Sequence, residues 1–251
     1  MRVVYVIARR EVGALLHTAT GWLVLAAFLL LAGVFWVALV DHYVSVGQDQ
    51  VFDPYAVQQL SLADHLLAPW FGNLVIVVLV VAPALTMRLL ADEVRHHTIE
   101  LLRSSPITTA QIVLGKYLGS LAVYGLLLAA SAALPCSLYA WASPDPGAVA
   151  AGYLALLGVG AVVLAVGLLA SACTDSPLVA LMLTFAVVLC LWIVGWTDPD
   201  PTSATSQLAL STHVQDLLRG ALRLSDLSYF VLLVGWCLFA THQRVEAHRY
   251  L

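Results

Sequence analysis

Charge is what this chain lacks. Only 10% of its 251 residues are Asp, Glu, Lys or Arg, while 61% are hydrophobic. An ordinary soluble domain carries about a quarter charged residues, so composition excludes that class. The long apolar runs contain no Asp, Glu, Lys or Arg, and His242 lies at the very end of the last one, so an intramembrane enzyme lacks its acids and bases and a proton- or sodium-coupled carrier its midplane carboxylate. A nucleotide-binding P-loop is missing too: Gly115-Lys116 is followed by Tyr117 and has no upstream glycine at the required spacing. Cys136, Cys173, Cys190 and Cys237 lack the paired spacing of a metal or redox site and read as small apolar fillers.

What is present is a series of uncharged stretches. They run from Gly21 to Val40, Leu66 to Met87, Tyr117 to Ser143, Pro146 to Thr174, Ser176 to Thr197 and Leu227 to Gln243. A bilayer core needs about 20 apolar residues per helix, and alternating polarity, the mark of a β-barrel strand, is missing from these runs. The expected fold is an all-α membrane protein with six transmembrane helices, over about 21–40, 66–87, 117–140, 148–172, 177–196 and 227–243, forming a single transmembrane domain over 1–251. Pro83 and Pro135 fall inside spans and predict kinks.

The sparse charges are informative by position. Arg2, Arg9, Arg10, Arg88, Arg95, Arg103, Lys116, Arg244 and Arg249 fall on one side of this topology and only Arg219 and Arg223 on the other. The positive-inside rule then places both termini in the cytoplasm. Residues 1–17 are too polar for a signal-peptide core and read as an interfacial helix with Arg9, Arg10 and Glu11 grouped on it. The stretch from Asp41 to His65 reads as an outer loop. Residues 205–222 read as one amphipathic helix at the outer interface, with His213, Asp216 and Arg219 on a solvated face and Leu210, Val214, Leu217, Leu218 and Leu222 on the apolar one. In the fourth span Ala151, Ala155, Gly158, Ala161 and Ala165 make a face of small residues, which suits close packing within the bundle or against a second subunit.

The densest charge lies at Ala91 to Pro106, "ADEVRHHTIELLRSSP". Helical spacing puts Asp92 with His96, Glu93 with His97, and His96 with Glu100, each four apart, above an apolar side that includes Leu101 and Leu102. Glu93 and His96 form a single Glu-x-x-His pair. Di-iron bundles need two such pairs and further glutamates, so no metal site is expected.

The wider segment "MRLLADEVRHHTIELLRSSPITTAQIVLGKYLGSL" resembles the loop between the second and third spans of ABC-2 type transporter permeases. The family pattern is an acidic pair, Gly-Thr-x-Glu-x-Leu, a proline, and Gly-Lys opening the next span. Asp92, Glu93, Thr98, Glu100, Leu102, Pro106, Gly115 and Lys116 match it, and His97 stands where glycine is common. The first span with its preceding helix resembles the family's elbow region. The last span resembles the branch that includes gliding-motility and nitrous-oxide-reductase maturation permeases.

This resemblance implies an ABC-2, type V exporter-like arrangement with an N-terminal elbow helix and a short cytoplasmic coupling helix at about 91–103. It implies a permease with no catalytic residue or cofactor of its own, working with two copies of a separate ATPase that binds ATP and Mg. A second permease subunit, identical or homologous, and surrounding lipid are the other implied partners, with a periplasmic protein as a further candidate and no nucleic acid. Asp92, Glu93, Arg95, His96, His97, Thr98, Glu100, Leu101, Leu102 and Pro106 are then the ATPase-coupling residues, braced by Arg9, Arg10 and Glu11. Thr174 to Pro177 is a weaker contact candidate. The implied location is the bacterial cytoplasmic membrane.

Overall fold

A computed structural model describes residues 2–49, 61–92, 108–196, 203–218 and 223–247, and every element among them is helical. Helix α1 (Arg2–Leu16) turns at His17 into α2 (Ala19–Asp49). A π-helical turn, Ala63–Leu67, leads into α3 (Ala68–Thr86). Helix α4 (Thr109–Ser131) is followed by the short α5 (Ala133–Ser137), and then come α6 (Pro146–Cys173) and α7 (Pro177–Ile193). Two short helices, α8 (Ala204–Leu208) and α9 (Leu210–Leu218), precede the last long one, α10 (Leu224–Ala247).

Five of these stretches are long and apolar enough to cross a membrane: 21–48, 63–86, 109–140, 146–173 and 224–247. Helix α7 is equally apolar but has 17 residues. At 1.5 Å per residue it is about 25 Å long.

Packing is organised around α6, which contacts α3, α4, α7, α9 and α10. The reason lies in its glycines, which let rings approach the backbone. A Cβ at Gly152 would collide with Phe71, one at Gly160 with Tyr124, one at Gly167 with Thr86, and one at Gly158 would press on Phe230 at 3.0 Å. Ala151, Ala155 and Ala165 are buried as well, so the small-residue face serves contacts within the chain. Asp145 caps the start of α6, its carboxylate accepting from the Gly147 amide at 3.0 Å, with Pro146 at the first helical position. By contrast α2 lies at the edge, with Trp22, Leu23, Leu30, Val34 and Val37 exposed. It is tied to α3 through Trp70, whose ring packs edge-on to Trp36 at 5.1 Å and whose Nε1 donates to the Ala32 carbonyl at 3.2 Å.

Several boundaries differ from the sequence reading. Helix α2 does not stop at Asp41 but continues to Asp49, so the stretch 41–65 is not all loop. Beyond the hydrocarbon a helix can carry polar residues at no desolvation cost, and charge alone does not end it. Helix α4 starts at Thr109, where the Thr108 amide donates to Gln111 Oε1 at 3.3 Å. Lys116 therefore sits two turns inside the helix and not at its opening. Pro83 lies inside α3, which runs on for one more turn, whereas the break near Pro135 falls at Ala132, between α4 and α5. The single amphipathic helix expected at 205–222 is two helices, broken at Ala209, which is extended at φ −76° and ψ 128°. Thr212 Oγ1 donates to the Ser206 and Ala209 carbonyls across that break, at 2.9 and 2.8 Å.

Candidate functional site

One end of the bundle holds the junction from α3 toward α4. Helix α1 lies against the first turns of α4 because two glycines there leave room for it. A Cβ at Gly115 would stand 2.8 Å from Ile7 Cβ, and one at Gly119 would stand 2.8 Å from Glu11 Cβ. Between those glycines Lys116 points inward and is only 5% exposed. Its ammonium donates to Glu11 Oε1 at 3.2 Å and to the Leu89 carbonyl at 2.6 Å. A buried cation needs such partners, since an isolated one is very costly in an apolar setting. Glu11 thus faces α4, while Arg9 and Arg10 are exposed on α1.

The chain that follows α3 is fixed at several points. Residues 87–90 form a turn, and Leu89, Leu90 and Ala91 are buried. At the corner between α1 and α2, Trp22 Nε1 donates to the Leu16 carbonyl at 2.8 Å, occupying one of the acceptors left open at the end of α1. Asp92, half-buried, is the last described residue on this side. Glu93, Arg95, His96, His97, Thr98, Glu100, Leu101, Leu102 and Pro106 lie outside the described residues, as does the bulk of the expected helix at 91–103.

The opposite end of the bundle holds a second polar cluster. Leu210, Val214 and Leu217 of α9, on the apolar side that the sequence gives this segment, are buried against the core, and α9 packs on α6. Ser211 Oγ donates to the Trp192 carbonyl at the end of α7, at 3.0 Å. His213, expected on a solvated face, is instead largely enclosed. Its Nδ1 is 2.7 Å from Asp226 Oδ1 and its Nε2 is 3.0 Å from the Gln207 carbonyl. Its ring stacks on Tyr229 with centroids 4.2 Å apart, and Tyr229 in turn donates to the Leu208 carbonyl at 2.7 Å. The side chain of Asp216 and all of Arg219 lie outside the described residues.

Asp226 is the residue that sequence reading missed. It stands just before the last apolar run and looks like a boundary marker, yet it is 3% exposed and its Oδ2 makes no hydrogen bond. A polar cavity of about 640 Å³ opens beside it, lined by Gln207, His213, Gln215, Asp226, Ser228 and Tyr229 among others. The clefts between the long helices are apolar. One of about 400 Å³ lies between α4, α6 and α10, and one of about 210 Å³ between α2, α3 and α4.

Comparison with individually curated proteins gives no match. The chain does match, over residues 5–241, the family described as ABC-2 family transporter protein. The match takes in all but the first residues of α1, both polar clusters and all but the end of α10, and on that extent this multi-pass helical chain belongs to the ABC-2 family of transporter membrane components.

Proposed function

We propose that this chain is the permease subunit of an ATP-driven exporter in the bacterial cytoplasmic membrane, powered by a separate ATPase that docks on residues 91–106. The observation that carries the reading is the clamp around that segment. Leu89 before it and Lys116 after it are buried and bonded to each other, and Lys116 is bonded to Glu11 of α1. A segment hung from so fixed a base can pass a push from below into the bundle.

In this reading α7 is the fifth of six spans, α1 is the elbow helix, and both termini and 91–106 face the cytoplasm. Two ATPase copies bind ATP and Mg, and two permease subunits, identical or homologous, pair in the membrane. The exposed apolar faces of α2 and α7 meet the second subunit or lipid. Branch membership with gliding-motility and nitrous-oxide-reductase maturation permeases remains part of this proposal. Glu100→Arg, or His96→Ala with His97→Ala, should lower co-purification of the Walker-motif ATPase at least tenfold, about 1.4 kcal/mol, with membrane insertion intact. Unchanged association and vanadate-sensitive turnover in correctly inserted variants would remove the docking assignment.

The polar cavity at the His213 end favours a second reading, in which ATPase motion is relayed to a periplasmic protein seated there and no solute crosses. Stimulation of ATP turnover by a solute supports export, and stimulation by a periplasmic protein supports the relay.

A further inference from the structure

Ser171 is a buried hydroxyl near the end of α6, and it makes three hydrogen bonds to main chain 80 to 84 positions away. Its Oγ accepts from the Leu90 amide at 3.0 Å and from the Ala91 amide at 2.9 Å, and donates to the Met87 carbonyl at 3.2 Å. A serine hydroxyl has one proton to give and two lone pairs to share, so its capacity is fully used on one short stretch. Lys116 holds the Leu89 carbonyl of the same stretch from the other side. Four main-chain groups between Met87 and Ala91 are therefore held by two side chains from two different helices.

The location gives this arrangement a purpose. Helix α3 ends at Thr86, and residues 87–90 are a turn, so the helical ladder that would carry force straight into α3 is interrupted there. An unsupported turn would absorb a displacement arriving from 91–106 by changing a few backbone angles. Fastened to Ser171, the turn cannot yield without moving the end of α6, and α6 touches α3, α4, α7, α9 and α10. One turn away Thr86 lies directly on Gly167 of α6, which extends the same contact.

We propose that Ser171 is a positioning residue that routes motion of the 91–106 segment into α6, making the central helix the receiver of ATPase movement ahead of α3. The inference rests on the coupling reading given above. It assigns to Ser171 no contact with ATP, the ATPase or any solute.

The test uses the full chain with its ATPase in lipid nanodiscs. Trp141→Cys and Leu224→Cys, exposed sites at the far end of the bundle, carry spin labels, with the exposed Cys136, Cys173 and Cys190 replaced by Ser. In the otherwise wild-type complex, vanadate trapping should change the distance distribution between the labels. Ser171→Ala should still recruit the ATPase and turn over ATP within twofold of wild type, yet lose that change, and Ser171→Thr should restore it by returning the hydroxyl. Should Ser171→Ala not fold, Ser171→Gly, which removes the hydroxyl and adds no thiol to the labelled background, should reduce the shifted fraction by more than half. An undiminished shift in the alanine or glycine variant overturns the role of Ser171 and leaves the coupling reading standing. A wild-type chain that recruits no ATPase overturns the coupling reading, and this inference with it.

Discussion

Lys116 and His213 sit at opposite ends of one bundle, and each is paired with a carboxylate on another helix. The Lys116–Glu11 contact joins residues 105 apart in sequence, the His213–Asp226 contact residues only 13 apart. The first gathers α1, α4 and the turn after α3 into one unit, while the second is a local clasp closing α9 onto the first turn of α10. Charge at the margin of an apolar run can thus do two different jobs. Closing a long loop costs more conformational entropy than closing a short one, so the Lys116 end depends more on its pair being intact.

Three substitutions sharpen that contrast. The largest effect is expected from Lys116→Met, which deprives both Glu11 and the Leu89 carbonyl of their donor. Removing one partner of a buried pair costs about 3–5 kcal/mol, and the 18% exposure of the Glu11 side chain puts this case at about 3 kcal/mol. A drop in thermal midpoint in detergent, with faster proteolysis of α1, would show it. Adding Glu11→Met should recover much of the loss, and a double variant as unstable as the single one would mean the pair is incidental.

Next comes Gly119→Val, which leaves every charge in place but pushes on Glu11 Cβ and the Ala8 backbone. Overpacking of this kind costs about 2 kcal/mol, and α1 should again become the protease-sensitive element. The smallest effect is expected from Asp226→Asn, which keeps an acceptor for His213 and costs about 1 kcal/mol. Its thermal shift should be clear, while α1 keeps its wild-type protease resistance. If α1 loosened equally in Asp226→Asn, the two ends would be one cooperative unit and the comparison would fail.

How much of this was legible in the sequence follows from the range of each interaction. The long helices were visible because burial in hydrocarbon writes itself as uninterrupted apolar residues. The small-residue periodicity of α6 marked it for close packing, though not which rings would fill the glycine notches. The turn from α8 to α9 was not legible, since Ala209 is neither glycine nor proline and is set by the Ser203 cap and the Thr212 hydrogen bonds. His213 reads as a solvated charge, and Asp226 as no more than the edge of the last apolar run, because their pairing is tertiary. Lys116 was legible only as part of a motif, and its burial came from the two glycines that bring α1 alongside. Ser171, one serine in a run of small residues, carried no signal at all.

The four notches of α6 also bear on which length changes the protein can tolerate. They serve partners on different sides of the helix: Phe71 at Gly152, Phe230 at Gly158, Tyr124 at Gly160 and Thr86 at Gly167. Deleting one residue midway rotates everything beyond it by about 100° and would swing backbone carrying side chains into rings that now rest on bare glycine. Single insertions and deletions in functional variants of this chain should therefore avoid 152–167.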